Sequence, residues 1–163
     1  MARVVLSRNC KLYRNTGTKA SPSWNEITSA RDVTLAIAWQ EADVSKRGSL
    51  YRQTVATQMD VSLTFDVVRD ADDTDQSTLL TKLFNGDQIE LAVAEGAIAT
   101  GTTQYFRHEF VTFGLDKAEA LADAKRLTFN MKIGDVSPSD ESTYYGWQTT
   151  AGTTTTTTTT QPA

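Results

Sequence analysis

The sequence has little of the chemistry that disulfide-rich folds and metal sites need. Its 163 residues include one cysteine, Cys10, and one histidine, His108. A single thiol excludes an internal disulfide, and with a single imidazole it excludes a zinc site built from thiolates and imidazoles. The longest uncharged apolar run covers residues 35–39, far short of the ~20 residues that span a bilayer. Disulfide-stapled and membrane-spanning classes are therefore excluded.

Motifs of catalysis and metal binding are also lacking. His108 lies in a predicted strand, so a paired or surface imidazole is expected rather than a metal ligand. No G-x-S-x-G nucleophile turn and no glycine-rich phosphate loop occur. The acidic stretch 70–75 fails the calcium-loop pattern, since Asp75 stands where glycine is needed and Thr81 where glutamate is needed. The sequence predicts no catalytic residue, no cofactor and no metal.

Charge is unevenly distributed, although the net charge is only −4. Residues 1–52 carry nine Lys and Arg against four Asp and Glu, whereas residues 53–163 carry seven against sixteen. The net negative charge argues against a generic nucleic-acid binder. Two interpretations stay open: the halves fold onto opposite faces suited to head-to-tail self-association, or they interleave and the asymmetry vanishes.

Threonine is unusually abundant, with 26 residues, of which eight form the run 153–160. From residue 149 onward the chain has no charged and no large apolar side chain, so this segment cannot build a core. The sequence therefore predicts a β domain over residues 1–148 and a Thr-rich C-terminal arm over residues 149–163.

Two segments, residues 32–40 and 58–67, have the two-residue alternation of half-buried strands. Their apolar side chains are Val33, Leu35, Ile37 and Trp39 in the first, and Met59, Val61, Leu63, Phe65 and Val67 in the second. Trp39 follows the apolar register and is expected in the core. Weaker strand patterns lie at residues 10–14, 24–27, 88–93, 104–113 and 126–133. Together they predict a mostly β sandwich or barrel.

One helix is predicted at about residues 75–84. Aspartates 72, 73 and 75 precede an apolar stripe with helical spacing, and Asn85-Gly86 follows as a stop signal. The stripe consists of Leu79, Leu80, Leu83 and Phe84. Residues 118–125 fit a short helical turn and a loop equally well.

A long polar loop of mixed charge, about residues 41–57, separates the two clearest strands. It is far longer than a hairpin turn requires, and long loops within compact domains are often functional. Its charged side chains are therefore candidate contact residues. They are Glu41, Asp43, Lys46, Arg47 and Arg52.

Several segments resemble the N-terminal half of phage major tail proteins, the tail tube protein family. They are residues 24–27 (Trp-Asn-Glu-Ile), 30–35 (Ala-Arg-Asp-Val-Thr-Leu), 41–47 (Glu-Ala-Asp-Val-Ser-Lys-Arg), 63–66 (Leu-Thr-Phe-Asp) and 85–91 (Asn-Gly-Asp-Gln-Ile-Glu-Leu). The resemblance covers about residues 10–135. It implies a β-sandwich tail-tube fold with one flanking helix, six subunits in a ring, and rings stacked into the tube through which DNA leaves the virion. The Thr-rich end departs from the simplest family pattern, which leaves its role open.

The resemblance also implies partners and a location. The partners are further copies of the chain, other tail proteins at the tube ends, and DNA in transient, non-specific passage. Assembly takes place in the host cytoplasm, and the mature location is the virion tail. No membrane is implied. In such a tube, the charged loop is expected to reach the next ring and set the stacking.

The polar face of the two clearest strands suits the lumen of a tube. Its side chains are Thr34, Ala36, Ala38, Gln40, Gln58, Asp60, Ser62, Thr64 and Asp66. It has acids but no Lys, Arg or aromatic side chain, so it offers DNA neither phosphate contacts nor a stacking surface. We expect this face to line the lumen; the alternative is that it faces solvent or packs under the helix.

A second function, from another class, is a carbohydrate-binding β-sandwich module with a Thr-rich linker. Exposed aromatic side chains would then serve as stacking platforms for sugars. The candidates are Trp24, Trp39, Trp147, Tyr144 and Tyr145. The expected burial of Trp39 argues against it.

Overall fold

The computed structural model describes residues 10–99, 103–118 and 125–150. Within these residues the chain forms eight strands and two helices. In order they are β1 (Lys11–Asn15), β2 (Trp24–Glu26), β3 (Ala30–Asp43), β4 (Thr54–Val68), α1 (Thr74–Asn85), β5 (Ile89–Ala94), β6 (Gln104–Ala118), β7 (Arg126–Ile133), α2 (Pro138–Tyr144) and β8 (Gly146–Thr149). The predicted mostly β class is confirmed. The alternatives for residues 118–125 fall mainly on residues outside the described ranges.

The described strands form one antiparallel sheet in the order β2-β1-β5-β6-β7-β4-β3, with β8 also paired to β6. The long β6 connects the two halves, because its first part pairs with β5 and β8 and its second part with β7. Side chains of β4 and β5 share one buried cluster although two strands separate them in the sheet. The sheet therefore curls over its own apolar face, as in a sandwich or partly closed barrel.

The core lies inside this curl. Leu63, Phe65 and Val67 of β4 are completely buried, and Phe65 stacks on Phe129 of β7 with 5.3 Å between ring centroids. Leu79 of α1 joins the same cluster. The helix thus covers the apolar side of the sheet.

The predicted helix is confirmed in α1, together with its boundary signals. The carboxylate of Asp73 accepts hydrogen bonds from the backbone N–H groups of Asp75 and Gln76, at 2.8 and 3.3 Å. At the other end Gly86 has a φ of 69°, the left-handed conformation in which glycine ends a helix without strain. The Gln76 side chain donates to the carbonyl of Val68 at 2.7 Å, which ties α1 to the end of β4.

The hairpin of β3 and β4 corrects the predicted loop over residues 41–57. β3 runs to Asp43 and β4 begins at Thr54, and these two residues face each other in the ladder. The connecting turn therefore comprises only residues 44–53. Opposite Trp39 and Glu41, a bulge inserts one extra residue of β4 between Ala56 and Met59 and interrupts its alternation, which explains why the sequence pattern of β4 starts after the strand does.

The C-terminal part contains elements that the sequence did not reveal. β6 continues past residue 113 to Ala118 through a bulge between Thr112 and Gly114. α2 begins at the N-cap Ser137, whose hydroxyl accepts from the backbone N–H of Asp140 at 3.2 Å. β8 reaches Thr149, the first residue of the predicted Thr-rich arm; residues 151–163 lie outside the described ranges.

Candidate assembly interface

In the outer hairpin, residues 37–60 of the β3–β4 hairpin, the alternation of apolar side chains continues beyond the subunit's own core. Trp39 faces Met59 across the ladder, on the same side as the buried Leu63. Yet Trp39 is 57% exposed and Met59 is 46% exposed, and Ile37 and Val55 are also exposed. The expectation that Trp39 lies in the core is wrong, because the hairpin extends past the residues that cover its inner end. The apolar face of the outer hairpin is defined below as Ile37, Trp39 and Met59; Val55 pairs with Ala42 beyond the bulge and lies on the other side.

The tip of the hairpin, residues 44–53, presents apolar and basic side chains together. Leu50 is 94% exposed and the adjacent Tyr51 is 80% exposed. Arg52 Nε lies 3.5 Å from Asp43 Oδ2. Hydrogen bonds from the hydroxyl and backbone N–H of Ser45 lower the pKa of Asp43, which keeps this carboxylate charged.

The five predicted contact residues all lie at the outer end of the hairpin, but only two of them pair. Asp43 and Arg52 form the ion pair above. Within the described ranges, Glu41, Lys46 and Arg47 have no ion-pair partner. Charged side chains left without a partner at a protruding tip are available for contacts with another molecule.

The predicted polar face exists as one surface on the side of the sheet opposite to the core. Across the β3–β4 ladder Thr34 faces Thr64, and Ala38 faces Asp60. β7 continues the surface, where Thr128 donates to Asp66 at 2.7 Å. The further predicted members, Ala36, Gln40, Gln58 and Ser62, lie on the same two strands, with all but Ser62 exposed. Since α1 covers the other side of the sheet, the alternative of packing under the helix is excluded.

The charge of this polar face is more mixed than β3 and β4 alone predict. β7 adds Arg126 and Lys132, and Lys132 Nζ lies 3.9 Å from Asp60 Oδ2. β6 adds Asp116, which accepts a hydrogen bond from Asn130 at 3.3 Å. β3 also adds Arg31, which faces Asp66 across the ladder, so three carboxylates stand against three basic groups on this surface.

An apolar cleft of about 480 Å³ opens at the base of the outer hairpin. Its apolar walls are Val33, Leu35, Ile37, Val93, Ala94 and Trp147, and Cys10, Lys11 and Glu95 complete the lining. Lys11 Nζ is held by Glu26 at 2.7 Å. The walls come from strands that are distant in the sequence, so no local pattern could have indicated the cleft.

A buried polar cluster fixes α2 and the turn after β1 to the sheet. Arg107, only 3% exposed, pairs with Glu90 and donates to the backbone carbonyl of Lys19 at 2.6 Å. Lys19 Nζ lies 3.2 Å from Glu109, which also accepts from the Tyr145 hydroxyl at 3.0 Å. Burial and this hydrogen bond raise the pKa of Tyr145 to about 12. The cluster matches its charges internally and so acts as a structural brace.

The two charge halves of the sequence interleave in the fold. Arg14 and Lys19, from the basic half, pair with Asp75 and Glu109 from the acidic half. The interpretation that folding removes much of the asymmetry is therefore supported for β1 and the turn after it. The exception is the hairpin tip, where Lys46 and Arg47 remain exposed.

Of the two expectations for His108, a paired or a surface imidazole, the structure shows the paired one, since the side chain is buried. Its ring stacks on Tyr145 with 4.8 Å between centroids, and Nδ1 lies 3.0 Å from the carbonyl oxygen of Glu109. Among the described residues, no group of three or more His, Cys, Asp or Glu side chains is arranged to hold a metal ion. No helix in this part of the chain has the length and apolar character to cross a membrane.

Comparisons with known proteins place the fold. No family model and no curated protein matches the sequence. Among solved structures, the chain is similar to the tail of an empty gene transfer agent particle with C6 symmetry, with a TM-score of 0.65 and 15% identity over 90% of this chain and 98% of that one. It is also similar to the SPP1 tail tube, with a TM-score of 0.64 and 11% identity over 85% of this chain and 84% of that one.

A third similar structure belongs to the six-fold symmetrised baseplate of the anti-feeding prophage. The TM-score is 0.61 and the identity 11%, over 83% of this chain and 95% of that chain. At such identities the likeness concerns the fold, and it agrees in three independent structures over most of the chain. The chain therefore has the tail tube fold, as its sequence resemblance to phage major tail proteins predicts.

Proposed function

We propose that this chain is a structural tail protein whose copies assemble into six-membered rings that stack into a tube for DNA. The apolar face of the outer hairpin carries the proposal. Its three large side chains continue the core register, yet they are 39–57% exposed in the single subunit. Contiguous exposed apolar surface of this kind is typical of protein–protein interfaces. A neighbouring copy would cover it.

The sheet edges support ring formation. β2 and β3 stand at the two ends of the strand order, and edge strands with unpaired backbone groups invite pairing with another chain. Subunits joined edge to edge around an axis close into one large barrel without free edges. The similar gene transfer agent tail has C6 symmetry, which supports six as the number of subunits.

The tip is proposed to set the stacking of one ring on the next. The tip and the adjoining end of β3 provide both charge signs, from Glu41, Asp43, Lys46, Arg47 and Arg52. Complementary charges fix the register between surfaces more than they add affinity. The tip is thus suited to choosing the orientation of the neighbouring ring.

The polar face is proposed to line the lumen. It displays small and acidic side chains from β3 and β4, with Lys132 close to Asp60. A wall whose cations are matched by carboxylates would retain the phosphates of passing DNA only weakly. In an assembled tube, Asp60, Ser62 and Thr64 must then point toward the axis; an outward position would refute this part.

The role needs no catalytic step. Its partners would be further copies of the chain, other tail proteins at the tube ends, and DNA in passage, and its mature location the virion tail. The carbohydrate-binding alternative is also testable, because Trp39 and Trp147 are each 57% exposed and offer rings on which sugars stack.

The test is electron microscopy of the purified full chain, with light scattering at increasing concentration. We expect rings or tubes with six-fold symmetry and no binding on a glycan array. A protein that stays monomeric at high concentration would overturn the proposal. Glycan binding by that monomer would instead support the carbohydrate-binding function.

A further inference from the structure

The tip and the cleft are two apolar features of opposite shape on the same chain. At the tip, Leu50 and Tyr51 project with 94% and 80% of their surface exposed. The cleft at the base of the outer hairpin offers a concave apolar volume of about 480 Å³ between Leu35, Val93 and Trp147. Pockets of 300–1,000 Å³ accept groups of the size of one or two large side chains. The tip thus has projecting apolar side chains, and the cleft has a concave apolar volume that can receive them.

One chain cannot join its own tip to its own cleft. Ile37 lines the cleft, whereas the tip begins beyond Asp43 on the same strand. Six residues of strand span about 20 Å, and the ladder with β4 keeps this part of the hairpin extended. The tip that reaches a cleft must therefore belong to another copy.

A contact between two different surfaces of identical chains is heterologous. Such contacts propagate from copy to copy and either close into rings or continue as filaments. The cleft is also continuous with the apolar face of the outer hairpin, since Ile37 belongs to both. An occupant of the cleft would therefore extend the surface proposed above as the subunit interface.

The charges at the two features have opposite signs. The tip carries Lys46 and Arg47 beside the Arg52–Asp43 pair. At the cleft, Glu26 forms an ion pair with Lys11 at 2.7 Å. This pair leaves the negative charge of Glu95 uncompensated. A basic tip entering a cleft with an acidic end is electrostatically favourable.

We propose that the cleft is the receptor for the hairpin tip of a second copy, with Leu50 and Tyr51 inserted between Leu35, Val93 and Trp147. Lys46 and Arg47 then lie next to Glu95. This proposal rests on the proposed function, because it names the partner and the receptor of the same self-assembly.

The single cysteine makes the contact testable by cross-linking. Cys10 lines the cleft and is exposed, so a Leu50→Cys variant of the full chain puts one thiol on each side of the proposed contact. Mild oxidation or a short bis-maleimide should give a ladder of covalent dimers and higher multimers on a denaturing gel. The reactivity of Cys10 in the natural sequence toward a maleimide should fall at least fivefold on assembly.

Two controls isolate the contact. Leu50→Cys combined with Cys10→Ser should give no ladder beyond dimers linked through the new thiol. Phe84→Cys, with the natural Cys10 retained, places an equally exposed thiol on α1 and should give no ladder. A Tyr51→Cys variant repeats the test in case Leu50→Cys prevents assembly.

The outcomes separate this proposal from the function on which it rests. If the natural chain forms tubes but neither tip variant cross-links to Cys10, the cleft is not the receptor, while the tube function stands. If the ladder forms and microscopy shows neither rings nor tubes, the contact is real and the tube function is wrong. A ladder in particles with six-fold rings supports both.

Discussion

The inner and outer parts of the β3–β4 hairpin follow the same alternating pattern but have opposite environments. In the inner part, Leu63 and Phe65 are fully buried, and every second side chain of β4 up to Val67 lies in the core. In the outer part, Met59 and Trp39 continue this register and are about half exposed. Alternation thus specifies which face is apolar, but what covers the face depends on the reach of the fold. We propose that a second chain, rather than the subunit itself, covers the outer part.

The largest expected effect comes from a matched pair of truncations on one strand. Leu63→Ala should lower the free energy of unfolding by about 2–5 kcal/mol, because it leaves a cavity in a fully buried site. Met59→Ala, on the same face, should cost the free subunit less than about 1 kcal/mol. Urea unfolding of the dissociated subunits measures both. Equal losses would show that the outer hairpin is part of the subunit's own core.

The second effect concerns assembly rather than folding. Trp39→Asp should leave the circular dichroism of the subunit unchanged, since Trp39 is 57% exposed. It should raise the concentration needed for assembly at least tenfold, because burial of a large aromatic side chain is worth about 2 kcal/mol. Sedimentation over a concentration series gives the threshold. Normal assembly by this variant would show that the apolar face of the outer hairpin is not part of the interface.

The third effect separates ring formation from stacking. Reversal of the two free tip charges, Lys46→Glu with Arg47→Glu, should leave the subunit folded and stop tubes from growing. A charge reversal at Lys82 of α1, which is paired with Asp87 after the helix, is the control and should have little effect on tube length. Tubes of normal length in the tip variant would contradict a stacking role.

The fourth effect is a pH dependence of the subunit. Burial tends to raise the pKa of Asp73, but hydrogen bonds from Ser29, Gln76 and Asp75 outweigh it and lower this pKa below 3.8. The carboxylate therefore contributes stability at pH values above about 4, and this contribution is lost as the pH falls through the lowered pKa. Asp73→Asn keeps a cap acceptor without the charge, so wild type should be more stable by up to about 1 kcal/mol at pH 7. Thermal unfolding from pH 7 to pH 2 should show this difference closing; a constant difference would mean that the charge does not contribute.

The smallest expected effect is at the C-terminus. Truncation after Thr150 should leave the unfolding temperature of the free subunit nearly unchanged, because the removed residues have no side chain able to fill a core. Truncation after Gln148 also removes the hydrogen bond from the Thr150 N–H to the Thr103 carbonyl at 3.1 Å, which should cost about 1 kcal/mol. A large loss from the first truncation would mean that the domain extends into the Thr-rich segment.

Sequence reasoning recovered the elements whose signals are local. Aspartates before a leucine stripe and Gly86 after it predicted α1, and the structure shows both caps. β3 and β4 were predicted, but not their outer ends, because a bulge opposite Trp39 breaks the period of β4 and the outer side chains of β3 are mostly polar. α2 has seven residues and no buried side chain, so only its Ser137-Pro138 start could have revealed it.

The candidate interface was recovered only in part, for a physical reason. The contact role of the charged tip residues stays a prediction from the length and composition of their segment, and the lumen role of the polar face stays one from its alternation. The burial of Trp39 was misjudged and the cleft was missed, because both depend on how far one strand reaches beyond its neighbours. That distance is a property of the tertiary fold and leaves no periodic signal in the chain.

The most direct test of the account is a cryo-electron microscopy reconstruction of the particles that the purified full chain forms. We expect a six-fold ring in which Trp39 and Met59 are buried against a neighbouring copy and Asp60 points toward the axis. Rings in which the apolar face of the outer hairpin lies in solvent would contradict it.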